Sequence, residues 1–338
     1  MDPCVTGGEG RFVSYLCPFC RRIGFVRESG QAVAVIGAGL SGISAAQFLR
    51  SGGHRVVVFE KSRGFGGRCA TKRWDGHVVD HGAQYFTIRD AGFREAVLGA
   101  CGSEIAVISS PILTPGGKAV SAEERFFHRS GNSRLVRALA DGLDVRTGIE
   151  VTPIVDRTIG GERFDAILST APIPQTSRLA GWEGFPSAYI PSLTLLLLYD
   201  GDPVGLAADR YGVSDRTGHP LAWTACENHK PGRILPGFTV MVAQASESFS
   251  REWLESPPPE WSEVLRKMVE ERWELASASF RAMHPHRWRF ARVATPLEVP
   301  GLPEGWFFAG DALTESRVES AWLAGRDGAR RVHSFLAE

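Results

Sequence analysis

The chain has 338 residues, and its 38 basic side chains balance its 38 acidic ones, so that its formal net charge is zero. A balanced charge gives no electrostatic reason to expect nucleic acid or an anionic membrane as a partner. No apolar run approaches the roughly 18 residues of a membrane-spanning helix, and we expect a cytoplasmic protein with no membrane contact. The length predicts two domains.

The first thirty residues contain a Cys-x-x-Cys pair, Cys17 and Cys20, with Cys4 upstream. A thioredoxin-like site needs a βαβ context that 1–30 cannot supply, and a zinc site needs more ligands than Cys4 adds. Pro18 and two arginines interrupt the apolar segment, which argues against a secretory signal. We expect 1–30 to be a poorly ordered extension and predict no metal site. The other cysteines are expected to be free thiols: Cys69, Cys101 and Cys226.

Segment 33–60 is predicted to be a βαβ unit that holds a dinucleotide. Three glycines have the G-x-G-x-x-G spacing, which allows a tight turn, a close approach of backbone to pyrophosphate, and close helix packing. The helix at 41–50 directs its N-terminal amides at the phosphates. Glu60 ends the second strand, where a carboxylate binds ribose hydroxyls and disfavours a 2′-phosphate. The expected contacts are Gly37, Gly39, Leu40, Ser41, Gly42 and Glu60.

The loop at 61–68 contains three further glycines and two arginines, which favours a second approach to phosphate and therefore an extended FAD. Segment 80–87, Asp-His-Gly-Ala-Gln-Tyr-Phe-Thr, follows after a hairpin-like stretch. Tyr85 could equally be a packing residue. The contacts expected here are Lys61, Gly67, Arg68, Ala83, Gln84 and Tyr85.

The middle of the chain is predicted to return once to the dinucleotide sheet and then to form a second sheet. Its predicted elements are a helix at 134–139, strands at 144–149, 164–170, 193–199, 221–225 and 238–243, and an amphipathic helix at 261–274. The last three strands are too closely spaced for βαβ crossovers, which indicates an antiparallel sheet.

The C-terminal segment is predicted to be a strand ending in Gly-Asp at 310–311, followed by an amphipathic helix at 315–335. The acid could reach a ribityl chain, and the helix N-terminus could stabilise negative charge at N1 and O2 of a reduced flavin. For the Gly-Asp pair alone, a turn with an N-cap is the alternative. The contacts expected here are Gly310, Asp311, Arg317 and Val318.

The candidate catalytic residue is His286, which could contact a substrate together with Trp288. A surface histidine beside a packing tryptophan is the alternative. No Ser-His-Asp, Cys-His or paired-carboxylate arrangement emerges, so the chemistry must come mainly from the flavin.

These elements predict an α/β fold, with a Rossmann-type FAD/NAD(P)-binding domain and a second, antiparallel-sheet α+β substrate domain. The FAD-binding domain is predicted to be discontinuous, formed by 31–95, 131–175 and 286–338. The substrate domain is predicted to comprise 96–130 and 176–285.

Three segments together resemble the flavin amine oxidase superfamily, and within it the renalase-like proteins, especially the bacterial form. They are Lys-Ser-Arg-Gly-x-Gly-Gly-Arg at 61–68, Asp-x-Gly-Ala-Gln-Tyr-Phe-Thr at 80–87, and Arg-Val-Glu-x-Ala-Trp-Leu-x-Gly at 317–325. His-Arg-Trp-x-Phe-Ala at 286–291 is similar as well. The resemblance runs in colinear order over 31–338 and is weak in the middle.

The resemblance implies an FAD-dependent oxidase that converts 2- and 6-dihydronicotinamide isomers of NAD(P)H to NAD(P)+. Hydride would pass to flavin N5, and O2 would accept the electrons and give H2O2. Two alternatives remain: a flavin-containing amine oxidase, and a flavin-binding interaction protein without turnover. Some amine oxidases attach the flavin through a cysteine near the C-terminus, but no cysteine follows Cys226, so a covalent link has no candidate.

Overall fold

The computed structural model describes residues 30–183, 189–298 and 301–338. Cys4, Cys17, Cys20 and the predicted extension up to position 29 lie outside the described residues. Across those three ranges, no helix combines the length and the apolar composition that crossing a membrane requires. The same ranges contain no group of three or more metal-ligating side chains that could hold an ion.

Most of the described chain forms strands and helices. The strands are β1 (Ala32–Ile36), β2 (Arg55–Glu60), β3 (Thr71–Trp74), β4 (His77–Asp80), β5 (Ile105–Val107), β6 (Ile112–Leu113), β7 (Phe126–His128), β8 (Asp144–Thr147), β9 (Thr158–Ile159), β10 (Glu162–Arg163), β11 (Ala166–Ser169), β12 (Tyr189–Asp200), β13 (Gly212–Ser214), β14 (Leu221–Cys226), β15 (Phe238–Ala245), β16 (Phe280–Val293) and β17 (Trp306–Phe308). The helices are α1 (Leu40–Ser51), α2 (Ala91–Cys101), α3 (Asn132–Leu139), α4 (Ile173–Ala180), α5 (Leu206–Asp209), α6 (Glu247–Glu252), α7 (Pro258–Trp273) and α8 (Val318–Ala337).

The first sheet is parallel and has five strands in the order β17-β11-β1-β2-β8. Its strands are rich in buried aliphatic residues, as a sheet covered on both faces requires. Helices α1 and α8 pack so closely that a Cβ on Gly325 would lie 2.1 Å from the Ser41 carbonyl oxygen. The predicted Rossmann-type α/β fold is therefore confirmed.

The second sheet has six strands in the order β16-β12-β15-β14-β13-β6. All neighbours are antiparallel except β13 and β6, so the predicted antiparallel pairing is confirmed. Helix α7 covers one face and buries Trp261 and Trp273 completely against it. The sequence prediction missed β16, the edge strand, because histidines, arginines and a proline interrupt the apolar pattern that predicts a strand.

Several predicted boundaries were wrong by a few residues. Helix α8 begins at Val318 rather than at 315, because a 3-10 turn at Asp311–Leu313 and an extended Arg317 precede it. Strand β8 ends at Thr147 rather than at 149. Helix α7 begins at Pro258 rather than at 261, because proline is well tolerated in the first helical turn.

Two of the predicted domain limits fall inside single elements. Position 95 lies within α2, whose buried Phe93 and Val97 share one hydrophobic core with α1 and α8. Position 286 lies within the continuous strand β16. The division of the chain into two domains stays a prediction.

Candidate functional site

A cavity of about 1270 Å³ takes its walls from both large sheets. One end is lined by the carboxyl ends of β1 and β2, and the other by parts of β12, β14 and β16. The volume exceeds the roughly 300–1,000 Å³ of ordinary small-molecule pockets. It offers room for a dinucleotide and a second molecule. We call the part lined by the carboxyl ends of β1 and β2 the nucleotide end, and the part lined by β12, β14 and β16 the donor end.

The nucleotide end is built from the glycine turn before α1. Gly37 has φ +107, which glycine adopts readily. A Cβ on Gly39 would meet no protein atom within 4 Å, so this backbone lies open to a ligand in the cavity. A Cβ on Gly42 would lie 1.9 Å from the Gly37 carbonyl oxygen, so this glycine serves packing rather than contact.

Glu60 is buried at the same end, and backbone amides hold its carboxylate in place. Oε2 accepts a hydrogen bond of 2.8 Å from the Ala38 amide, and Oε1 accepts one of 2.8 Å from the Ser62 amide. Each carboxylate oxygen has a second lone pair. Glu60 can therefore accept further hydrogen bonds from a ribose in the cavity.

The second glycine loop lies against the first. Gly66 and Gly67 have φ +113 and +52, and a Cβ on Gly67 would lie 3.5 Å from the Gly39 Cα. The next residue, Arg68, donates to Asp311 Oδ2 at 2.8 Å and also contacts Oδ1 of the same carboxylate. This two-point ion pair joins the early loop to the turn before α8.

The donor end contains two histidines and a tryptophan in mutual contact. The ring centroids of His81 and His286 are 4.7 Å apart, and Trp288 lies 5.4 Å from the first and 4.3 Å from the second. The Trp288 indole also donates to the His81 carbonyl oxygen at 2.9 Å. Burial, followed by the proximity of His286, lowers the pKa of His81 to about 4. Burial, followed by His284 and Lys72, lowers the pKa of His286.

Trp223 and Gln244 complete the donor end. The Trp223 indole donates to Gln84 Oε1 at 2.7 Å, and Gln244 donates to the Gly82 carbonyl oxygen at 3.0 Å. Tyr85 packs against Trp223 at a centroid distance of 5.9 Å. Gln84 and Tyr85 therefore lie behind the cavity wall and not on it.

The structure brings most of the predicted site residues together. His286 lines the cavity. The predicted cofactor contacts that line it are Gly37, Gly39, Leu40, Ser41, Glu60, Lys61, Gly67, Arg68, Ala83, Gly310, Asp311, Arg317 and Val318. Those that do not line it are Gly42, Gln84 and Tyr85. Sequence reasoning missed His81, Trp223 and Gln244; the alternation His-x-His-x-Trp at 284–288 was the available signal for a shared strand face.

A cluster of four fully buried charges lies behind the donor end: Asp80, Glu227, Lys230 and Arg233. The Lys230 ammonium lies 2.7 Å from Glu227 Oε1 and 3.3 Å from Asp80 Oδ2. Arg233 contacts both carboxylates as well. The Asp80 carboxylate also accepts from the Thr71 hydroxyl and the Asn132 amide. The cluster joins the β3–β4 hairpin, which leads directly into His81, to the second sheet.

The charges that line the cavity are predominantly positive. Among the described residues, the basic lining side chains are Lys61, Arg68, Arg73, Arg134, Arg137, Arg178, Arg289, Arg292 and Arg317. The acidic ones are Glu60, Glu150, Glu247 and Asp311. Such a surplus concentrates anionic ligands.

Comparisons with known proteins agree with this architecture. Residues 35–96 match an NAD(P)-binding Rossmann-like domain, and residues 92–333 match flavin containing amine oxidoreductases. Over 70 residues, the chain is 40% identical to 4,4′-diapophytoene desaturase (4,4′-diaponeurosporene-forming) of Staphylococcus aureus strain Newman. That match covers 21% of this chain and only 14% of the relative.

Solved structures share the fold over nearly the whole chain. A proposed protoporphyrinogen oxidase from Exiguobacterium sp. 255-15 aligns with TM-score 0.74 over 92% of this chain and 100% of its own, at 13% identity. Cyclohexylamine oxidase from Brevibacterium oxydans IH-35A aligns with TM-score 0.67 over 91% of this chain and 100% of its own, also at 13% identity. At these identities the likeness concerns the fold alone.

Proposed function

The chain belongs to the flavin-containing amine oxidoreductase family, and we propose that it oxidises 2- and 6-dihydronicotinamide isomers of NAD(P)H in the renalase-like manner. The observation that carries this proposal is the positive surplus of the cavity lining. FAD, the cofactor that goes with this family, brings two phosphates. A dinucleotide donor brings at least two more, and the surplus of basic side chains suits both.

The nucleotide end fits FAD. Open space over Gly39 leaves backbone accessible to a pyrophosphate at the start of α1, where helix amides favour anions. Glu60 would hold the adenosine ribose, and the Arg68–Asp311 pair would contact the middle of the cofactor. Val318, the first residue of α8, would face the ring with its free amide. When bound, FAD supplies an acceptor of two electrons and a hydride at ring atom N5.

The proposed reaction balances with O2 as the second substrate. The neutral dihydronicotinamide loses a hydride, which carries two electrons, and becomes the NAD(P)+ cation. O2 then receives the two electrons and the hydride's hydrogen together with one further proton, which gives H2O2. The chain's own contribution is to orient the donor against the flavin.

Amine oxidation is the second candidate, and the two tryptophans of the donor end favour it. Trp223 and Trp288 both line the cavity and could flank an amine as an aromatic cage. An amine, however, arrives in water mainly as an ammonium ion. The surplus of basic side chains in the cavity lining would repel that ion as it enters, whereas it attracts the phosphates of a dinucleotide donor.

Anaerobic mixing tests the proposal. Holoprotein is mixed with 2-dihydro- and 6-dihydro-NAD(P), normal NADH, benzylamine and putrescine, and the flavin absorbance is followed in time. We expect the two isomers to bleach the flavin fastest. If an amine is fastest, the amine oxidase alternative replaces the proposal. If no donor bleaches a flavin that dithionite reduces, the protein binds flavin without turnover.

Ionic strength provides a second, independent readout. The Debye length falls from about 30 Å at 0.01 M salt to about 10 Å at 0.1 M. An anionic dinucleotide drawn in by the basic lining should therefore show a KM that rises with salt. A cationic amine should show the opposite trend. A KM that falls with salt for the dihydronicotinamide isomers would contradict the electrostatic basis of the proposal.

A further inference from the structure

We infer that His81 and His286 form a neutral imidazole pair beside the electron donor, and that a positive charge placed on the pair blocks hydride release. The inference rests on the hydride transfer of the proposed function but not on its substrate. Both a dihydronicotinamide and a neutral amine become cations when the hydride leaves. The same electrostatic demand therefore applies to either donor.

The two imidazoles come from separate segments and meet at the donor end. His81 follows β4, and its backbone is held on both sides: its amide donates to the Ala70 carbonyl oxygen at 3.2 Å, and its carbonyl accepts from Trp288. His286 lies two residues before Trp288 on β16, on the same strand face. Both rings line the cavity and lie 4.7 Å apart. The pair is therefore a fixed part of the wall.

The charged and titratable groups around the pair disfavour a proton on it. Lys72 faces it from β3, and His284 faces it from β16. Asp80, from β4, raises the pKa of His81, but its Oδ2 already contacts Lys230 and Arg233.

One ring atom of the pair is buried without a hydrogen-bond partner in the part of the chain that the structure describes. Among the described residues, His81 Nδ1 is a buried nitrogen with no hydrogen bond, and the whole residue is only 8% exposed. A buried polar atom left without a partner costs free energy. No acceptor is therefore in place at this atom to stabilise the charged form of the ring.

A neutral pair suits a donor that becomes positive. Charges of like sign repel strongly at short range where water is excluded. A protonated imidazole would therefore oppose the cation that forms as the hydride leaves. The Trp288 ring, which contacts both histidines and lines the cavity, is uncharged and does not oppose that cation. The pair and the indole together favour hydride release while both imidazoles remain neutral.

Two substitutions at His286 distinguish the effect of a positive charge from the effect of losing the imidazole ring. We expect His286→Lys to slow anaerobic flavin reduction at pH 7 by about 100-fold, and His286→Gln, which is neutral and polar, to slow it far less. His284→Lys, which adds the charge two residues away on the same strand and outside the cavity lining, should slow reduction less than His286→Lys, because repulsion weakens with distance. In the parent protein, reduction should slow as the pH falls toward 4.

Ligand binding and NMR provide readouts that do not depend on turnover. The probes are 1-methylnicotinamide, a permanent cation, and nicotinamide, its neutral counterpart, titrated against holoprotein by flavin absorbance. We expect His286→Lys to lose affinity for the cation and to keep its affinity for the neutral probe. Histidine ring signals followed by NMR should show that His81 stays neutral at pH 6 and that His286 titrates below the range of a free histidine.

The outcomes distinguish this inference from the proposed function. If an amine is the faster donor but the lysine variant still blocks reduction, the substrate proposal fails and this inference stands. Equal reduction rates in the lysine and glutamine variants overturn the inference. So does ordinary titration of both rings near pH 6.5. If the lysine variant fails to retain FAD, the NMR titration and the pH profile of the parent protein decide.

Discussion

The two ends of the cavity are built in different ways. The nucleotide end uses backbone amides, glycines and one carboxylate from a continuous stretch, 37–68. The donor end uses side chains from distant segments, such as His81 and Trp288, which are 207 positions apart. The nucleotide end depends on glycines, which leave its backbone accessible. The donor end depends on side chains that packing holds in position. A substitution at the nucleotide end should therefore have a different consequence from one at the donor end.

The largest effect should come from Gly39→Val. Its side chain would enter the open space over the turn, where no protein atom lies within 4 Å, and would exclude the pyrophosphate. We expect a folded protein that purifies without FAD, as measured by absorbance and by circular dichroism. Gly99→Val, in an equally open position on α2, is the matched control and should keep its flavin. A yellow Gly39→Val protein would show that the pyrophosphate lies elsewhere.

A substitution in the buried charge cluster tests what holds the donor end in place. Lys230→Met would leave Glu227 and Asp80 short of a cation, and breaking a buried pair costs about 3–5 kcal/mol. Urea unfolding should show that the free energy of unfolding falls by this amount.

The matched control for the cluster is Arg281→Met, which breaks an ion pair with Asp200 at the surface. The two side chains of that pair are 54% and 57% exposed, and exposed pairs contribute about 0–1 kcal/mol. Equal losses in Lys230→Met and Arg281→Met would mean that the cluster does not hold the hairpin.

His81 should make stability depend on pH. The pKa of this imidazole is about 4 in the fold against 6.5 in a free histidine, so between these values the unfolded chain binds a proton that the folded chain does not. Stability therefore falls as the pH drops from 6.5 to 4, by about 3 kcal/mol for this group. Urea unfolding at pH 7 and pH 4.5 should show a smaller loss in His81→Gln than in the parent. Identical losses would contradict the lowered pKa.

The smallest effect should come from Glu60→Ala. Loss of hydrogen bonds between the carboxylate and the ribose should weaken FAD binding by about 1.5–3 kcal/mol. The structure adds a second cost, since the Ala38 and Ser62 amides lose their acceptor. Isothermal titration of apoprotein with FAD measures the loss of FAD affinity, and urea unfolding of the apoprotein measures the loss of stability. Glu60→Gln, which keeps one acceptor oxygen, should lie between the parent and the alanine variant in both.

The nucleotide end could be predicted because its function is encoded in neighbouring positions. The spacing of Gly37, Gly39 and Gly42 carries the turn, the open backbone and the helix packing within six residues. The structure adds that Gly42 acts through packing alone. The amide partners of Glu60 also escaped prediction, because they depend on how the chain folds back over the carboxylate.

The donor end could not be predicted in the same way. His286 was found as a single candidate, but His81 was taken only as part of a loop motif, and Trp223 was not considered. The expectation that Gln84 and Tyr85 contact the cofactor stays a prediction; both residues contact Trp223, which lines the cavity, and neither lines it directly. Which side of a loop faces a cavity depends on the sheet that packs against it.

The sequence by itself determined the dinucleotide-binding unit, the antiparallel character of the second sheet and the family, because these depend on local spacing and on alternation along single segments. The tertiary structure alone decided which side chains share the donor end, since β16 pairs with β12 and brings its histidines to the end of β4. It also lowered the pKa values of His81 and His286. Burial and neighbouring charges set a pKa, and both are properties of the packed chain.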